Sequence, residues 1–259
     1  MKKWFLFLSL GLFLFSSVSS RQNIPGTTPV EIKSPDGRII FSYRIKSGYP
    51  TYSISFKGKT LIDDSQLSLD FKGTGDFGRN LTNYDPAYRT VDESYNLVVG
   101  KTKTVRNFFH KVAIPLAEKN APFHRINLVI RAFNDGIAFR YEFPEQEKWT
   151  SFSLKNENTT FRLSGNPNVL NLFRANFYTS HEGLYTSLKF NEIKPDTLMD
   201  LPALFDFQGI YMAITEAELV DYAGMYLISP TRLKKIPGMF PLTVKSLSIW
   251  NRLVAWLCL

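Results

Sequence analysis

The feature that most constrains the fold is a stretch of alternating apolar and polar residues at 126–144, interrupted by Asn134-Asp135-Gly136. Alternation with a period of two residues is typical of a β-strand that buries one face. Asn, Asp and Gly tolerate the positive φ angle that a tight hairpin turn requires. Pro144 cannot donate a ladder hydrogen bond and so ends the second strand. The sequence therefore predicts a long antiparallel hairpin at the centre of the chain.

Short apolar segments bounded by turn residues continue on both sides of this hairpin. The turn signal SPDG at 34–37 precedes a predicted strand at 39–45, and residues 72–90 are polar and predicted to form a long loop. Further strands are predicted at 52–56, 60–62, 95–99, 103–107, 112–115, 152–154, 160–163, 171–177, 209–215 and 219–226. This spacing is typical of a sandwich or barrel. The predicted fold class is all-β and antiparallel.

The N-terminus has the pattern of a secretory signal. Lys2 and Lys3 precede an apolar run at 4–15, followed by small residues. The run is too short to cross a membrane comfortably, and a polar segment follows it. We interpret residues 1–20 as a cleaved signal peptide and residues 21–29 as a leader. The expected location is the periplasm or the outside of the cell, with no membrane association after cleavage.

Charge and cysteine content restrict the possible partners. The formal net charge is +8, but residues 1–20 and 229–259 contribute two and five basic residues and no acidic ones. Residues 21–228 therefore hold 24 basic and 23 acidic residues, a balance that argues against a nucleic-acid partner. The single cysteine, Cys258, excludes an intramolecular disulfide. An exported domain of this kind must be held together by its apolar core.

Few residues could support metal or acid–base chemistry. Three histidines and one cysteine do not provide the ligand spacing of a zinc site. Glu216 and Glu218 would share one face of a strand, either as an acid/base pair or calcium ligands, or simply as two solvated glutamates. Glu182 follows His181 and lies near Tyr185, in an aromatic and polar cluster of the kind that sugar sites use. The alternative for Glu182 is an ordinary surface residue.

Four longer segments point to a family. They are SPDGRIIFSYRI at 34–45, VRNFF at 105–109, FNDGIAFRYEFP at 133–144 and ITEAELVDYAGMYL at 214–227. Together they resemble the N-terminal domain of glycoside hydrolase family 97, which contains bacterial α-glucosidases and α-galactosidases. The resemblance covers about residues 30–228.

The resemblance implies both a fold and a role. The fold would be an antiparallel β-supersandwich similar to galactose mutarotase, packed on a catalytic (β/α)₈ barrel that supplies the catalytic carboxyl groups. A calcium ion beside the substrate would be held by glutamates, one of them from the N-terminal domain. The segment at 178–186 resembles the one that carries this ligand, which places the ligand on Glu182. Glu216 matches a glutamate of the family pattern whose role stays open, and His181, Tyr185 and Glu216 are the candidate carbohydrate-binding residues.

The last 31 residues depart from this resemblance, which stops at about Leu227. Residues 229–259 contain no acidic residue. Two interpretations are open: an amphipathic helix at 247–257, or out-of-frame translation or truncation of the gene. Under the second interpretation the last strands of the sandwich would be missing, and unpaired strand edges would be exposed.

The expected function follows from the resemblance. The chain is predicted to be the N-terminal carbohydrate-binding and support domain of a calcium-dependent exo-α-glycosidase, with α-linked oligosaccharides as partners. The catalytic barrel would be missing, so the chain alone would be inactive and would contain no catalytic residue. Two alternatives stay open: a stand-alone periplasmic carbohydrate-binding module, and a structural or interaction domain without a sugar site.

Overall fold

A computed structural model describes residues 29–147, 149–217, 224–229, 239–246 and 254–258. The predicted signal peptide and nearly all of the predicted leader lie outside these ranges. No membrane-spanning helix is found in the part of the chain that the structure describes.

The regular secondary structure of the described residues consists of strands, apart from one 3₁₀ turn at Phe190–Glu192. The first eleven strands are β1 Val30–Lys33, β2 Ile39–Lys46, β3 Tyr49–Phe56, β4 Lys59–Gln66, β5 Leu69–Phe71, β6 Gly75–Phe77, β7 Leu81–Asn83, β8 Ala87–Asn96, β9 Thr104–Glu118, β10 Arg125–Phe133 and β11 Gly136–Glu142. The remaining strands are β12 Leu154–Glu157, β13 Thr160–Ser164, β14 Asn168–Asn171, β15 Phe173–Arg174, β16 Thr186–Lys189, β17 Leu198–Met199, β18 Ala203–Asp206, β19 Tyr211–Glu216, β20 Met225–Ile228, β21 Met239–Ser246 and β22 Val254–Cys258.

These strands make two large sheets and a small one, and their pairings are antiparallel. The nine-stranded sheet has the order β1-β2-β3-β4-β13-β21-β20-β17-β15. The ten-stranded sheet has the order β16-β14-β18-β19-β22-β11-β10-β9-β7, with β8 also paired to β9. A three-stranded sheet has the order β12-β5-β6. The predicted all-β, antiparallel supersandwich is confirmed.

The predicted central hairpin is present. Strands β10 and β11 pair from Asn127↔Glu142 to Phe133↔Gly136, so the turn is Asn134-Asp135. The face carrying Leu128 and Ile130 is fully buried, as the alternation predicts. The predicted loop at 72–90, in contrast, contains β6, β7 and the start of β8. These strands were not predicted because they are too short or too polar to show a clear alternation of apolar and polar residues.

The core lies between the two large sheets and is aromatic at its centre. Phe139 of β11 faces Tyr52 of β3 and Phe41 of β2, with ring centroids 5.5 and 6.2 Å apart. Phe161 of β13 lies 6.3 Å from Phe139 on the same side. All four rings are at most 1% exposed. Phe139 therefore joins its own sheet to three strands of the other, and this packing replaces the disulfides that the chain lacks.

The two described strands after residue 228 each belong to one of the large sheets. Strand β21 pairs with β13 and β20, and strand β22 pairs with β11 and β19. The expected loss of the last strands is therefore wrong. The predicted helix at 247–257 is also wrong at 254–257, where the chain forms β22. This strand supplies ladder partners to two strands that would otherwise carry unpaired backbone groups. Residues 247–253 lie outside the described part, and out-of-frame translation stays a prediction.

Candidate functional site

The predicted ligand segment is a surface loop. It connects β15 to β16 and carries His181, Glu182 and Tyr185. Tyr178 and Leu184 in the same loop are 89% and 92% exposed, and Tyr185 is 56% exposed. Large apolar side chains this exposed, and this close together, indicate a contact surface.

A buried ion pair lies beneath this loop. The carboxylate of Asp200, which follows β17, accepts a hydrogen bond from Arg174 Nη1 at 3.0 Å and lies 2.8 Å from His181 Nδ1. Asp200 is fixed by its neighbours, because its amide donates to Asn171 Oδ1 and its carbonyl accepts from Asn171 Nδ2. The His181 side chain itself is 65% exposed. Asp200 therefore orients a surface imidazole from below.

The buried guanidinium group of Arg174 has hydrogen-bond donors that lack an acceptor among the described residues. Its side chain is 1% exposed, yet Nε and Nη2 have no hydrogen-bond partner among the described residues. The guanidinium lies 5.9 Å from the centroid of the Tyr226 ring on β20. Burial without an acceptor is costly for a polar atom. Arg174 is thus a fixed cation balanced by one carboxylate, and two of its three guanidinium nitrogens donate no hydrogen bond within the described part of the chain.

Tyr226 ties the loop to the sheet. Its ring is stacked on His181, with centroids 6.2 Å apart and planes inclined by 21°. Phe177 meets the same ring edge-on at 5.2 Å. The ring contacts and the Asp200 carboxylate together hold His181 from two sides.

Glu216 completes the cluster at the end of β19. Its carboxylate accepts a hydrogen bond from the amide of Met225. Burial raises the pKa of Glu216, the Met225 hydrogen bond opposes that shift, and the charge of Asp200 adds to it. Its partner in the proposed carboxylate pair, Glu218, lies outside the described residues. The acid is therefore a half-buried group that hydrogen-bonds to the backbone.

The raised pKa of Glu216 leads to a pH-dependent stability prediction. When the pKa of a carboxyl group is higher in the folded than in the unfolded state, the group does not change the free energy of unfolding at a pH below its unfolded pKa. Once the group ionises at higher pH, it lowers the free energy of unfolding. We expect Glu216→Gln to be more stable than the natural chain at neutral pH, and this gain should vanish as the pH falls through the pKa of Glu216. Urea unfolding at a series of pH values checks this. A gain that persists at pH 4 and below would contradict it.

The structure gathers only some of the predicted residues. His181 contacts the Asp200 carboxylate, and Glu216 is near enough for the charge of Asp200 to raise its pKa. Glu182 and Tyr185, in contrast, are exposed and make no hydrogen bond or ion pair with another described residue. No group of three or more His, Cys, Asp or Glu side chains suited to a metal occurs within the described ranges. Calcium takes six to eight oxygen ligands. Glu182 with the described residues around it therefore does not make a calcium site by itself.

Sequence reasoning missed three members of the cluster: Arg174, Asp200 and Tyr226. Each lies on or beside a short strand, and no local motif marks it. They meet because β15 pairs with β17 and β17 with β20. The only signal in the sequence was the family segment at 214–227, whose last residues include Tyr226.

A separate cleft of about 300 Å³ opens between β1, β8 and β9. Its lining includes Lys33, Tyr88, Arg89 and His110. None of the predicted sugar or metal residues takes part in it. The cleft is therefore distinct from the cluster around Asp200.

The fold and the cluster define a class: an antiparallel β-supersandwich with an exposed loop that carries a carboxylate and aromatic groups above a buried ion pair. A family model described as Glycosyl-hydrolase 97 N-terminal matches residues 32–255. The chain belongs to this family, and the resemblance seen in the sequence is confirmed. The match also runs beyond Leu227, where that resemblance was expected to end, and includes β21 and the start of β22.

Relatives of known name are enzymes of greater length. The chain is 24% identical over 237 residues to a "Retaining alpha-galactosidase" of Bacteroides thetaiotaomicron, which covers 88% of this chain and 34% of that protein. It is 26% identical over 178 residues to a "Probable retaining alpha-galactosidase" of Streptomyces bingchenggensis, covering 67% of this chain and 26% of that protein. The chain thus spans about a third or less of the curated relatives that it matches.

Solved structures show the same relation. A Glycoside Hydrolase Family 97 enzyme from Pseudoalteromonas sp. strain K8, solved in complex with acarbose and, as a variant, with panose, superposes with a TM-score of 0.75. The identity is 25%, and the superposition covers 88% of this chain and 35% of that one. A beta-arabinopyranosidase superposes with a TM-score of 0.71 at 18% identity, over 88% of this chain and 40% of that one, a likeness of fold alone.

Proposed function

We propose that this chain is the N-terminal carbohydrate-binding and support domain of a calcium-dependent exo-α-glycosidase, an α-glucosidase or α-galactosidase. The catalytic (β/α)₈ barrel is not contained in residues 1–259, so the chain alone is inactive. The family membership and the names of the longer relatives support this. We also propose that residues 1–20 direct export to the periplasm or beyond.

The observation that carries the proposal is the anchoring of the backbone on both sides of Glu182. On one side, His181 contacts Asp200 and Tyr226. On the other, Gly183 lies so close to Leu172 that a Cβ at this position would be 2.7 Å from Leu172 Cδ1. Glu182 itself is exposed between these two anchored neighbours. An exposed carboxylate on an anchored backbone is suited to a ligand completed by another part of the protein.

In this proposal Glu182 supplies one carboxylate to calcium, and the barrel supplies the other ligands. The ion would polarise the region of the glycosidic leaving group or assist a catalytic carboxylate. The residues of this chain hold that carboxylate at the edge of the sandwich. Arg174 and Asp200 act beneath it as positioning residues, because they reach Glu182 only through His181.

The sugar contacts are assigned to the same loop. Tyr185 offers an exposed ring face on which an apolar sugar face can stack, and the exposed His181 ring has its Nε2 atom available for a hydroxyl group. Glu216 was predicted as a third sugar ligand. Because its carboxylate is bound by the Met225 amide, we assign it a supporting role within the cluster.

A chimera tests the role of Glu182. Residues 32–255 of this chain would replace the matching N-terminal third of the Bacteroides thetaiotaomicron enzyme. We expect calcium-dependent α-galactosidase activity, and we expect Glu182→Gln in the chimera to lower this activity at least about tenfold and to raise the calcium concentration needed. The matched control is Glu147→Gln, an exposed glutamate after the central hairpin, which should change neither quantity.

The purified chain supplies the second half of the test. With aryl α-glucosides and α-galactosides we expect no hydrolysis, and measurable turnover would contradict the proposal. Full activity of the Glu182→Gln chimera would contradict the calcium role. Binding of panose by the chain together with an inactive, folded chimera would favour a stand-alone carbohydrate-binding module.

A further inference from the structure

Strand β8 forms an open edge of the ten-stranded sheet. Within the described residues it pairs with β9 alone, from Ala87↔Ala113 to Asn96↔Thr104. Strand β10 reaches along β9 only as far as His110, so the outer part of β9, residues 104–109, has β8 as its single neighbour strand. Nine of the ten β8 residues are exposed and the tenth, Val91, is partly exposed. A projecting two-stranded ribbon of this kind is marginally stable without a further strand.

The charged side chains on this edge differ in whether they have a partner of opposite charge. Asp92 is already bound by Arg106 through two hydrogen bonds of 2.8 and 2.7 Å. Glu93 accepts one hydrogen bond from Asn107 and forms no ion pair with a described residue. Arg89 has no ion pair or hydrogen bond among the described residues. Within the described residues the edge therefore presents one cation and one anion that form no ion pair, Arg89 and Glu93, four residues apart.

A two-fold axis limits how such an edge can pair with itself. In an antiparallel pair, two residues that lie directly opposite each other have their side chains on the same face of the sheet. When a two-fold axis relates the two strands, one residue must therefore lie opposite its own copy, and the axis passes between these two residues. An axis at Arg89, Asp92 or Glu93 would place like charges face to face. An axis at Val91 places Arg89 opposite Glu93 twice, once on each side.

The other pairs of this register fit as well. Val91 meets its own copy on the axis, Ala87 meets Tyr95, and both pairs lie on the same face as the two ion pairs. Thr90 meets Asp92, and Tyr88 meets Ser94. Opposite charges and an apolar centre in cross-strand positions are the elements that stabilise antiparallel sheets.

We propose that β8 pairs with β8 of a second copy of this chain, with the two-fold axis at Val91. The two ribbons form one four-stranded antiparallel sheet that continues the ten-stranded sheet of each copy. The three charged residues of the edge disfavour the registers centred on Arg89, Asp92 and Glu93, and charges on edge strands are a natural means of avoiding indiscriminate association. This dimer is independent of the proposed glycosidase role, because none of its residues belongs to the cluster around Asp200.

Charge reversal in the full chain tests the proposal. By sedimentation equilibrium we expect a dimer whose dissociation constant rises about tenfold or more in Arg89→Glu and likewise in Glu93→Arg. The double variant carrying both changes should recover the affinity of the natural chain, because it restores opposite charges across the axis. A chain that is monomeric at all concentrations would overturn the proposal, and so would a dimer unaffected by either single reversal.

A cysteine on the axis tests the register directly. In a Cys258→Ser background, Val91→Cys should form a disulfide-linked dimer under mild oxidation, because residues facing each other across an antiparallel pair have Cβ atoms about 4.5–5.5 Å apart. The matched control is Val99→Cys at the hairpin tip, which is 82% exposed and lies outside the pairing. Equal cross-linking at both positions would show random collision and overturn the register.

Discussion

Asp200→Asn is expected to lower the free energy of unfolding by about 3–5 kcal/mol, because it leaves the Arg174 guanidinium buried without a counter-charge. Arg174 is 1% exposed, and two of its nitrogens already have no acceptor among the residues that the structure describes. The melting temperature should fall by roughly 6–20 °C for a domain of this size. Urea unfolding followed by tryptophan fluorescence measures the loss.

Two further variants test whether the loss of stability in Asp200→Asn comes from the uncompensated charge of Arg174. Asp135→Asn, in the exposed turn of the central hairpin, makes the same chemical change outside the cluster and should stay within about 0.5 kcal/mol of the natural chain. Arg174→Met combined with Asp200→Asn removes both charges and should recover much of the lost stability. If Asp200→Asn alone cost no more than the Asp135 control, the ion pair would not stabilise the fold.

Asp200→Asn should also loosen the loop above it. The carboxylate is one of the two groups that hold the His181 ring, and Tyr226 is the other. We expect faster proteolysis within residues 175–185 in the variant than in the natural chain under native conditions. Unchanged proteolysis there would separate the stability role of the pair from its role in positioning Glu182.

Phe139→Ala is expected to have a comparable effect for a different reason. The ring packs against Phe41, Tyr52 and Phe161 of the facing sheet and is 1% exposed. Its removal should cost about 3–5 kcal/mol, since it combines lost burial with a cavity that rigid sheets cannot close. Differential scanning calorimetry measures the shift in melting temperature.

The controls for Phe139 test the packing argument. Phe139→Leu keeps most of the volume and should cost clearly less than the alanine variant. Tyr178→Ala removes a ring that is 89% exposed and should change stability by no more than about 0.5 kcal/mol. Equal losses in Phe139→Ala and Tyr178→Ala would refute the assignment of Phe139 as the link between the sheets.

The strand pattern of the sequence predicted the parts of the fold that depend on local geometry. Residues 126–144 alternate because one face of a hairpin is buried, and Asn134-Asp135 forms the turn. The family resemblance added the supersandwich and the prediction that the loop at 178–186 carries a calcium ligand. Strand β22 was missed because it lies between β11 and β19, and an apolar run of five residues in the middle of a sheet cannot be distinguished from helix by periodicity.

By itself, the sequence determined an antiparallel sandwich of this family, its central hairpin, and the exposed segment that carries His181, Glu182 and Tyr185. The tertiary structure alone decided that Arg174, Asp200 and Tyr226 meet beneath that segment and that β8 is left with one open edge. The physical reason is the range of the interactions. Turn chemistry and strand alternation act between neighbouring residues, whereas the ion pair and the edge arise from strand pairings between segments distant in the chain.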